Sequence, residues 1–264
     1  MAEINALDLA FIVDTTGSMG GLIQSAQQQM ISMMRELLKA AEVDMRLGVV
    51  EYRDHPPQDT LPFRAYAFTG DLEKAQNAIN KLKAEGGGDG PESVFDGIIA
   101  ACRELTWREH ARRIAVLVGD APPHGVGAGG DSFKDGCPCG ETIDSVTRAA
   151  EEARITLYAM GLTRDKAMMS AFTLLSQMTG GEFFEAGHGN AAIERLKAIL
   201  AGEFGNLEFD RRALAAYQAN PEAAIDDLAA QLESSRPAVS AALSRLGTRG
   251  LLNGHQRSFE QAGS

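Results

Sequence analysis

The sequence is poor in cysteine and in aromatic residues, and it has no excess of basic residues. Of its 264 residues, three are cysteines, Cys102, Cys137 and Cys139, and 6% are aromatic. Three cysteines are too few for a disulfide scaffold and are typical of a reducing compartment. Acidic residues outnumber basic ones by 36 to 25, a net charge of −11, which argues against nucleic-acid binding over the whole surface.

Long apolar runs are also missing. No segment approaches the roughly 20 consecutive apolar residues that span a bilayer, and residues 1–5 lack the basic and then apolar pattern of a secretory signal. We therefore expect a cytoplasmic protein, of bacterial type, that makes no membrane contact. The 44% of hydrophobic residues are enough for the core of one large domain or two modest ones.

Short apolar segments alternate with helical patterns over about the first 200 residues. The predicted strands are 7–13, 43–52, 63–69, 113–119, 155–160 and 182–185. The predicted helices are 22–40, 71–84, 91–105, 142–153, 166–178 and 191–200. This alternation is typical of crossover connections, and it predicts an α/β fold with a doubly wound, mostly parallel six-stranded sheet flanked by helices.

The pattern changes near Gly202, which begins a predicted linker reaching Asn206. Three further helices are predicted at 209–219, 221–233 and 236–250. We therefore divide the chain into a domain at 1–205 and a small helical domain at 206–264. The first holds 19 basic and 29 acidic residues, and the second holds six and seven. Nearly all of the net negative charge therefore lies in the first.

The most informative segment is Asp14-Thr15-Thr16-Gly17-Ser18, directly after the first predicted strand. A carboxylate and two hydroxyls at alternating positions of a tight turn can direct three oxygens at one hard divalent cation. Asp120 follows another buried strand, and in a doubly wound sheet ligands bind at the carboxyl ends of neighbouring strands where the strand order reverses. A third acid, Asp89, lies in the glycine-rich loop 86–92. The alternative is that Asp14 and Asp89 only cap helices or turns.

These loops resemble a known metal site. Asp14-x-Thr16-x-Ser18, the glycine-rich loop and Asp120 resemble the metal-ion-dependent adhesion site of von Willebrand factor A domains, and the resemblance covers about residues 5–203. The segments that are similar to the hemicentin-type and alpha-kinase-linked branch are Tyr52-Arg53-Asp54-His55, Gly86-Gly87-Gly88-Asp89-Gly90-Pro91-Glu92 and Asp120-Ala121-Pro122-Pro123-His124-Gly125.

The resemblance implies a bound Mg²⁺, or Mn²⁺ or Ca²⁺, and a protein partner at the metal. Thr16 and Ser18 would hold the ion directly, and Asp14 and Asp120 directly or through water. Many members carry a threonine in the second loop, where this sequence has Asp89. Three carboxylates would tighten metal binding and weaken the pull of the ion on an acidic partner, because they more than neutralise a divalent charge.

A different class of function is a metal-dependent hydrolase, since Mg²⁺ among carboxylates can activate water. Asp54, His55 and His124 would then be the candidate bases. No base stands out within the motif itself, and the resemblance is to binding modules. We therefore predict a binding protein and no enzyme.

Five residues are expected on the same rim as the metal motif, namely Asp54, His55, His124, Cys137 and Cys139. The two cysteines and two histidines offer the ligand types of a zinc site. The C-x-C spacing is tighter than the usual C-x-x-C, however, and proline separates the cysteines. The sequence therefore favours a structured loop with free thiols or a reversible Cys137–Cys139 bridge, and predicts negligible zinc.

The C-terminal segment 225–252 is similar to the helix-turn-helix of winged-helix regulators of the multiple-antibiotic-resistance type. Packing is expected from Leu228, Ala229, Leu232, Val239, Leu243 and Leu246. The resemblance implies DNA contacts by Arg236, Ser240, Ser244 and Arg245, with Asn253-Gly254, His255 and Arg257 in a short wing. A transcription regulator that binds DNA through this segment is therefore an alternative function. Because the near-neutral charge of the segment is poor for DNA binding, its other possible roles are a protein contact or homodimerisation.

Overall fold

A computed structural model describes residues 2–252 apart from 22, 25–26, 29, 33–34, 36–42 and 186–188. The chain divides into two compact units. The larger unit comprises Leu7–Trp107 and Arg113–Ala198. The smaller unit comprises the described residues of Met1–Ala6, Arg108–Arg112 and Ile199–Ser264. Among the helices in the described part of the chain, none is both long and apolar enough to cross a membrane.

The larger unit is built on a six-stranded sheet. Its strands are β1 (Ala6–Asp14), β2 (Asp44–Tyr52), β3 (Phe63–Thr69), β4 (Arg112–Gly119), β5 (Ile155–Gly161) and β6 (Phe183–Glu185). The order is β3-β2-β1-β4-β5-β6, with β2 antiparallel to β3 and β5 parallel to both β4 and β6. All nine residues of β1 are buried, as expected for a central strand covered by helices on both faces. The predicted fold class is confirmed.

Seven helices follow in chain order. They are α1 (Leu72–Lys81), α2 (Val94–Arg103), α3 (Ile143–Glu152), α4 (Lys166–Met178), α5 (Gly189–Ala219), α6 (Ile225–Gln231) and α7 (Arg236–Thr248). The described residues between 20 and 35 are also helical. The side chains of Asp71, Thr142 and Asp165 accept hydrogen bonds from the first turns of α1, α3 and α4, so helix capping fixes where these helices begin.

Three predicted helix boundaries are wrong, and one of them is the start of α6, at Ile225 instead of 221. Helix α2 begins at Val94 instead of 91, because Glu92 pairs in a parallel bridge with Pro123 and stays outside the helix. No linker is found at 202–206, since α5 continues through it. Gly202 and Gly205 each disfavour a helix by about 1 kcal/mol. The buried Leu207 and a 2.8 Å ion pair between Glu203 and Arg112 stabilise the helix there.

The smaller unit has a core of its own. The six residues expected to pack within the C-terminal segment are all buried, and Ile4 joins them. Arg249 connects the separate chain segments of this unit by hydrogen bonds. Its Nη2 donates to the Ile4 carbonyl at 2.6 Å, and its Nε donates to the His110 carbonyl at 2.9 Å. The expected wing, Asn253-Gly254, His255 and Arg257, lies outside the described residues.

Candidate metal centre

Three oxygen-bearing side chains meet where β1 ends. Asp14 is the last residue of β1. Asp14 and Thr16 are buried, and Ser18 is exposed. The hydroxyl and the amide of Thr16 donate to Asp14 Oδ1 at 2.6 and 2.8 Å. Thr16 Oγ1 lies 3.2 Å from Ser18 Oγ. The alternating spacing therefore gathers one carboxylate and two hydroxyls at one point.

The glycine-rich loop closes over this turn. The Gly17 amide donates to the Gly86 carbonyl at 3.1 Å, and the Glu85 amide to the Thr15 carbonyl at 3.0 Å. Gly86 and Gly87 have φ angles of 76° and 78°, and a Cβ on Gly87 would lie 3.2 Å from the Thr16 side chain. Glycine is therefore required here both by the backbone conformation and by the close approach of the two loops.

Asp120 completes the edge from the neighbouring strand. Strands β1 and β4 are adjacent, and the strand order reverses between them, which is the position where doubly wound sheets bind ligands. Burial and the nearby Asp120 carboxylate together raise the pKa of Asp14 to about 7, against the opposing hydrogen bonds from Thr16. The two strand-end carboxylates therefore share one crevice, as the sequence predicts.

Glu92 is a member of the cluster that the sequence analysis missed. It is 4% exposed, and burial together with the charges of Asp14, Asp54, Asp89 and Asp120 raises its pKa to about 10. Its amide donates to the Pro122 carbonyl at 2.9 Å, which ties the glycine-rich loop to the loop after β4. Because Glu92 is the second residue of the helix predicted at 91–105, the sequence pattern alone assigned it to the first turn of that helix.

His124 is buried between two carboxylates. Its Nε2 lies 2.8 Å from Asp54 Oδ1 and its Nδ1 lies 2.9 Å from Asp131 Oδ1. These hydrogen bonds outweigh burial and raise the pKa of His124. Because both ring nitrogens are engaged, His124 is not positioned as a base for water, contrary to the hydrolase alternative. Asp89 lies beside this pair, since ligand atoms of Asp54, Asp89 and His124 are within 4.8 Å of one another.

The edge carries many oxygens without hydrogen-bond donors. Eight buried oxygens lack a hydrogen-bond partner among the described residues: Asp14 Oδ2, Tyr52 Oη, Asp54 Oδ2, Gln58 Oε1, Asp89 Oδ1, Glu92 Oε2, Ser93 Oγ and Asp120 Oδ1. Burying unpaired carboxylate oxygens is costly unless a cation compensates them. Oxygen donors are also the ligands that Mg²⁺ and Ca²⁺ prefer. The residues present therefore fit a hard divalent cation.

The metal-free protein is expected to lose stability as the pH rises from about 5 to 8. The carboxyls of Asp14 and Glu92 have folded pKa values of about 7 and 10, above their ordinary values of 3.8 and 4.5. The folded state thus binds protons that the unfolded state releases, and stability present at low pH is lost on the way to the folded pKa. Thermal melts in chelator at several pH values measure this.

Glu92→Gln is the variant that isolates one carboxyl from this effect. It removes a buried ionisable group, so in chelator it should raise the melting temperature near pH 8 by a few degrees and change it little near pH 5. A wild-type melting temperature that stays flat or rises over the same pH range would contradict the account.

The remaining rim residues form a second cluster, which includes one residue that the sequence analysis missed. His55 Nε2 lies 2.9 Å from Asp96 Oδ2 and 3.3 Å from Cys137 Sγ. Cys139 Sγ lies 2.8 Å from Cys137 Sγ. Of the two cysteines and two histidines that offered zinc ligands, His124 lies outside this cluster, because it is held by Asp54 and Asp131, and Asp96 takes its place.

The residues expected to contact DNA differ in availability. Arg236 and Ser244 are exposed and Ser240 is partly exposed. Arg245 instead donates from Nη2 to Asp210 Oδ1 at 2.5 Å, and Asp210 is 2% exposed at its side chain. The expectation that Arg245 offers its guanidinium to a base is corrected, because this group compensates a buried carboxylate within the smaller unit.

Comparisons with known proteins agree with this geometry. The model of the von Willebrand factor type A domain matches residues 8–198. The alpha-protein kinase vwkA of Dictyostelium discoideum is 30% identical over 157 residues, which are 58% of this chain and 24% of the kinase. The chain therefore spans about a quarter of the length of this curated relative.

Solved structures share the fold at low sequence identity. Proximal thread matrix protein 1 from the mussel byssus superposes with a TM-score of 0.54 at 13% identity, over 73% of this chain and 44% of that one. A form of it has a zinc-occupied MIDAS motif, with a TM-score of 0.52 at 13% identity over 77% and 46% of the two chains. The pilus adhesin SpaC from Lactobacillus rhamnosus GG superposes with a TM-score of 0.54 at 13% identity, over 76% of this chain and 30% of the adhesin.

Proposed function

The chain belongs to the von Willebrand factor type A domain family, and we propose that it binds a divalent cation, Mg²⁺ in the first place, and engages a protein partner at that ion. Domains of this family typically mediate protein–protein interactions and often bind a divalent metal at their adhesion site. The observation that carries the proposal is the convergence of three loops that leave eight buried oxygens without partners among the described residues.

The ligands of the ion are proposed to be Asp14, Thr16, Ser18, Asp89 and Asp120. Thr16 and Ser18 would supply neutral hydroxyls. Asp14 and Asp120 would supply negative charge from the two adjacent strand ends. Asp89 would add charge from the glycine-rich loop, and the unexpected Glu92 interacts electrostatically with all three aspartates. The bound cation would neutralise this cluster and hold the three loops together.

The charge of the cluster sets the kind of partner. The carboxyls of Asp14, Asp89, Glu92 and Asp120 balance a divalent charge when two of them are protonated and exceed it when one or none is, and His124 compensates Asp54 and Asp131 instead of the ion. A site with this much carboxylate has little positive potential left for an acidic group of a partner. We propose a partner that contacts the rim mainly through hydrogen-bonding and basic groups.

The test compares affinity purification of the full chain with Mg²⁺ and with chelator. A protein recovered with wild type in Mg²⁺, and lost both in chelator and from Asp14→Ala, is the expected result. Glu151→Ala is the matched control, because it removes an exposed carboxylate from helix α3 and should retain the partner. Equal recovery by wild type and Asp14→Ala would contradict metal-dependent engagement.

For the smaller unit we propose a protein contact in preference to a DNA contact. Residues 206–264 carry six basic and seven acidic residues, and Arg245 is used internally. DNA binding depends on neutralising phosphates, which this composition does not favour.

A further inference from the structure

We propose that His55, Asp96, Cys137 and Cys139 form a second metal site, which takes one zinc ion and is separate from the cation centre. One ligand atom from each of the four lies within 4.8 Å of the other three. The structure thus reverses the preference drawn from the sequence, in which the cysteines were expected to be a simple loop feature. The inference does not depend on the proposed function of the cation centre.

The four side chains come from three separate parts of the chain. His55 follows β2, Asp96 lies in the first turn of α2, and the two cysteines lie in the loop between β4 and α3. His55 and Cys137 are 6% and 7% exposed, and Cys139 is partly exposed. Four convergent ligands with little exposure are typical of a closed structural zinc site, in which no position is left for substrate.

The loop carrying the cysteines turns so that both sulfurs lie side by side. The Gly140 amide donates to the Cys137 carbonyl at 2.9 Å, and Gly140 has a φ of 75°, which favours glycine. The contact with Cys139 and burial raise the pKa of Cys137, whereas the contact with Cys137 lowers the pKa of Cys139 to about 6. Zinc binding would displace the remaining thiol proton, because the thiolate is the form that binds metal.

The donor set distinguishes zinc from the cation of the neighbouring centre. Two sulfurs, one imidazole nitrogen and one carboxylate oxygen suit zinc, whereas Mg²⁺ and Ca²⁺ prefer oxygen ligands alone. With Zn–S bonds of about 2.3 Å, two thiolates in a tetrahedral site are about 3.8 Å apart. The Sγ atoms are 2.8 Å apart here, so zinc binding would separate them by about 1 Å through rotation of the partly exposed Cys139.

The position of the site gives it a mechanical role. The His55 amide donates to Asp54 Oδ1 at 2.6 Å, and Asp54 in turn binds His124 beside the cation centre. Cys137 and His124 also line a cavity of about 650 Å³ that would give zinc a path to its ligands. Zinc at this position would fix the loop after β4 and the segment after β2, both of which border the cation centre.

The test measures metal content and spectra of the full-length protein. Protein produced with zinc in the medium, and purified without chelator, is expected to hold about one zinc per chain. Cobalt that replaces the zinc should show thiolate-to-cobalt charge-transfer absorption and the visible bands of a tetrahedral ion. The double variant Cys137→Ser/Cys139→Ser should lose both signals. Cys102→Ser is the matched control and should keep both, since Cys102 lies in helix α2 outside the cluster.

Asp14→Ala separates this site from the cation centre, because zinc in the second site should survive that change. Zinc that remains in the double serine variant but disappears from Asp14→Ala would overturn the proposal, as would wild-type protein without zinc and without the cobalt–thiolate band. Titration that finds one free thiol instead of three in the denatured protein would assign the pair to a disulfide. If the double variant fails to fold, the wild-type cobalt spectrum still tests whether thiolates bind the metal.

Discussion

Adding millimolar Mg²⁺ to the metal-free protein near neutral pH is expected to raise its melting temperature by about 5–10 °C, and Asp14→Ala is expected to remove that response. A ligand present at 100 times its dissociation constant adds about 2.7 kcal/mol when it binds only the folded state. For a unit of this size, 1 kcal/mol corresponds to about 2–4 °C. Calorimetric titration with Mg²⁺ and thermal melts in Mg²⁺ and in chelator provide the measurements.

The physical reason lies in the unpaired oxygens. In the metal-free state the carboxyls of Asp14, Glu92 and Asp120 lie close together. Burial and the neighbouring charges raise the pKa values of Asp14 and Glu92, so negative charge in this cluster costs free energy. A cation converts this repulsion into attraction, so the gain on binding includes the relief of the metal-free state. Asp14→Ala removes both a ligand and a source of repulsion.

Two further variants sharpen the test. Asp14→Asn keeps the volume of the side chain and an oxygen that can accept from Thr16, but loses the charge, so it should also lose the response to Mg²⁺. Glu151→Ala removes a carboxylate from the exposed face of α3 and should respond like wild type. A folded wild-type protein that binds no Mg²⁺ at millimolar concentration, or an Asp14→Ala variant with wild-type affinity, would contradict the assignment of the centre.

The strands and the strand-end acids were predictable because they depend on local patterns. The apolar runs 9–13 in β1 and 114–119 in β4 are each followed by an aspartate, Asp14 and Asp120, which marks the end of the strand. The adjacency of these two ends follows from the handedness and order of crossover connections. Sequence periodicity and topology therefore place the two carboxylates together without any knowledge of side-chain contacts.

Glu92 and Asp96 were not predictable, because their roles depend on contacts between distant segments. Glu92 is held outside α2 by backbone pairing with the loop after β4. Asp96 occupies the first turn of α2, where an acid is ordinarily explained by the helix dipole, and only the folded chain brings it to His55. The linker predicted at 202–206 was wrong for the same reason, since Glu203 is paired with Arg112 from a segment far away in the chain.

Arg245→Ala is expected to destabilise the smaller unit by ~3 kcal/mol, although Arg245 was first assigned to DNA contact. The guanidinium donates to both oxygens of Asp210, from Nε at 3.1 Å and from Nη2 at 2.5 Å. Removing one partner of a buried pair typically costs 3–5 kcal/mol, because the other charge stays buried. We expect the lower end, since Arg249 Nη1 remains 3.9 Å from Asp210. Urea denaturation followed by far-UV circular dichroism measures the change.

Arg236→Ala is the matched control for Arg245→Ala, since both residues lie on α7 and were assigned to the same DNA surface. Arg236 pairs with Asp226 at 3.6 Å, and both side chains are more than half exposed, so its loss should change stability by less than about 1 kcal/mol. Hydrogen exchange of peptides from 206–252 should locate the loss caused by Arg245→Ala in the smaller unit.

The double variant Arg245→Leu/Asp210→Leu distinguishes a structural role for Arg245 from a role in DNA contact. Apolar residues can replace a buried ion pair with little loss of stability, so the double variant should recover most of the stability that Arg245→Ala loses. Selection from a random DNA pool at low salt, with the full chain, supplies the other measurement. An Arg245→Ala variant with wild-type stability that no longer enriches a DNA sequence selected by wild type would return Arg245 to the DNA surface. Loss of stability in Arg245→Ala, its recovery in the double variant and no enrichment by wild type would together assign Arg245 to the core of the smaller unit.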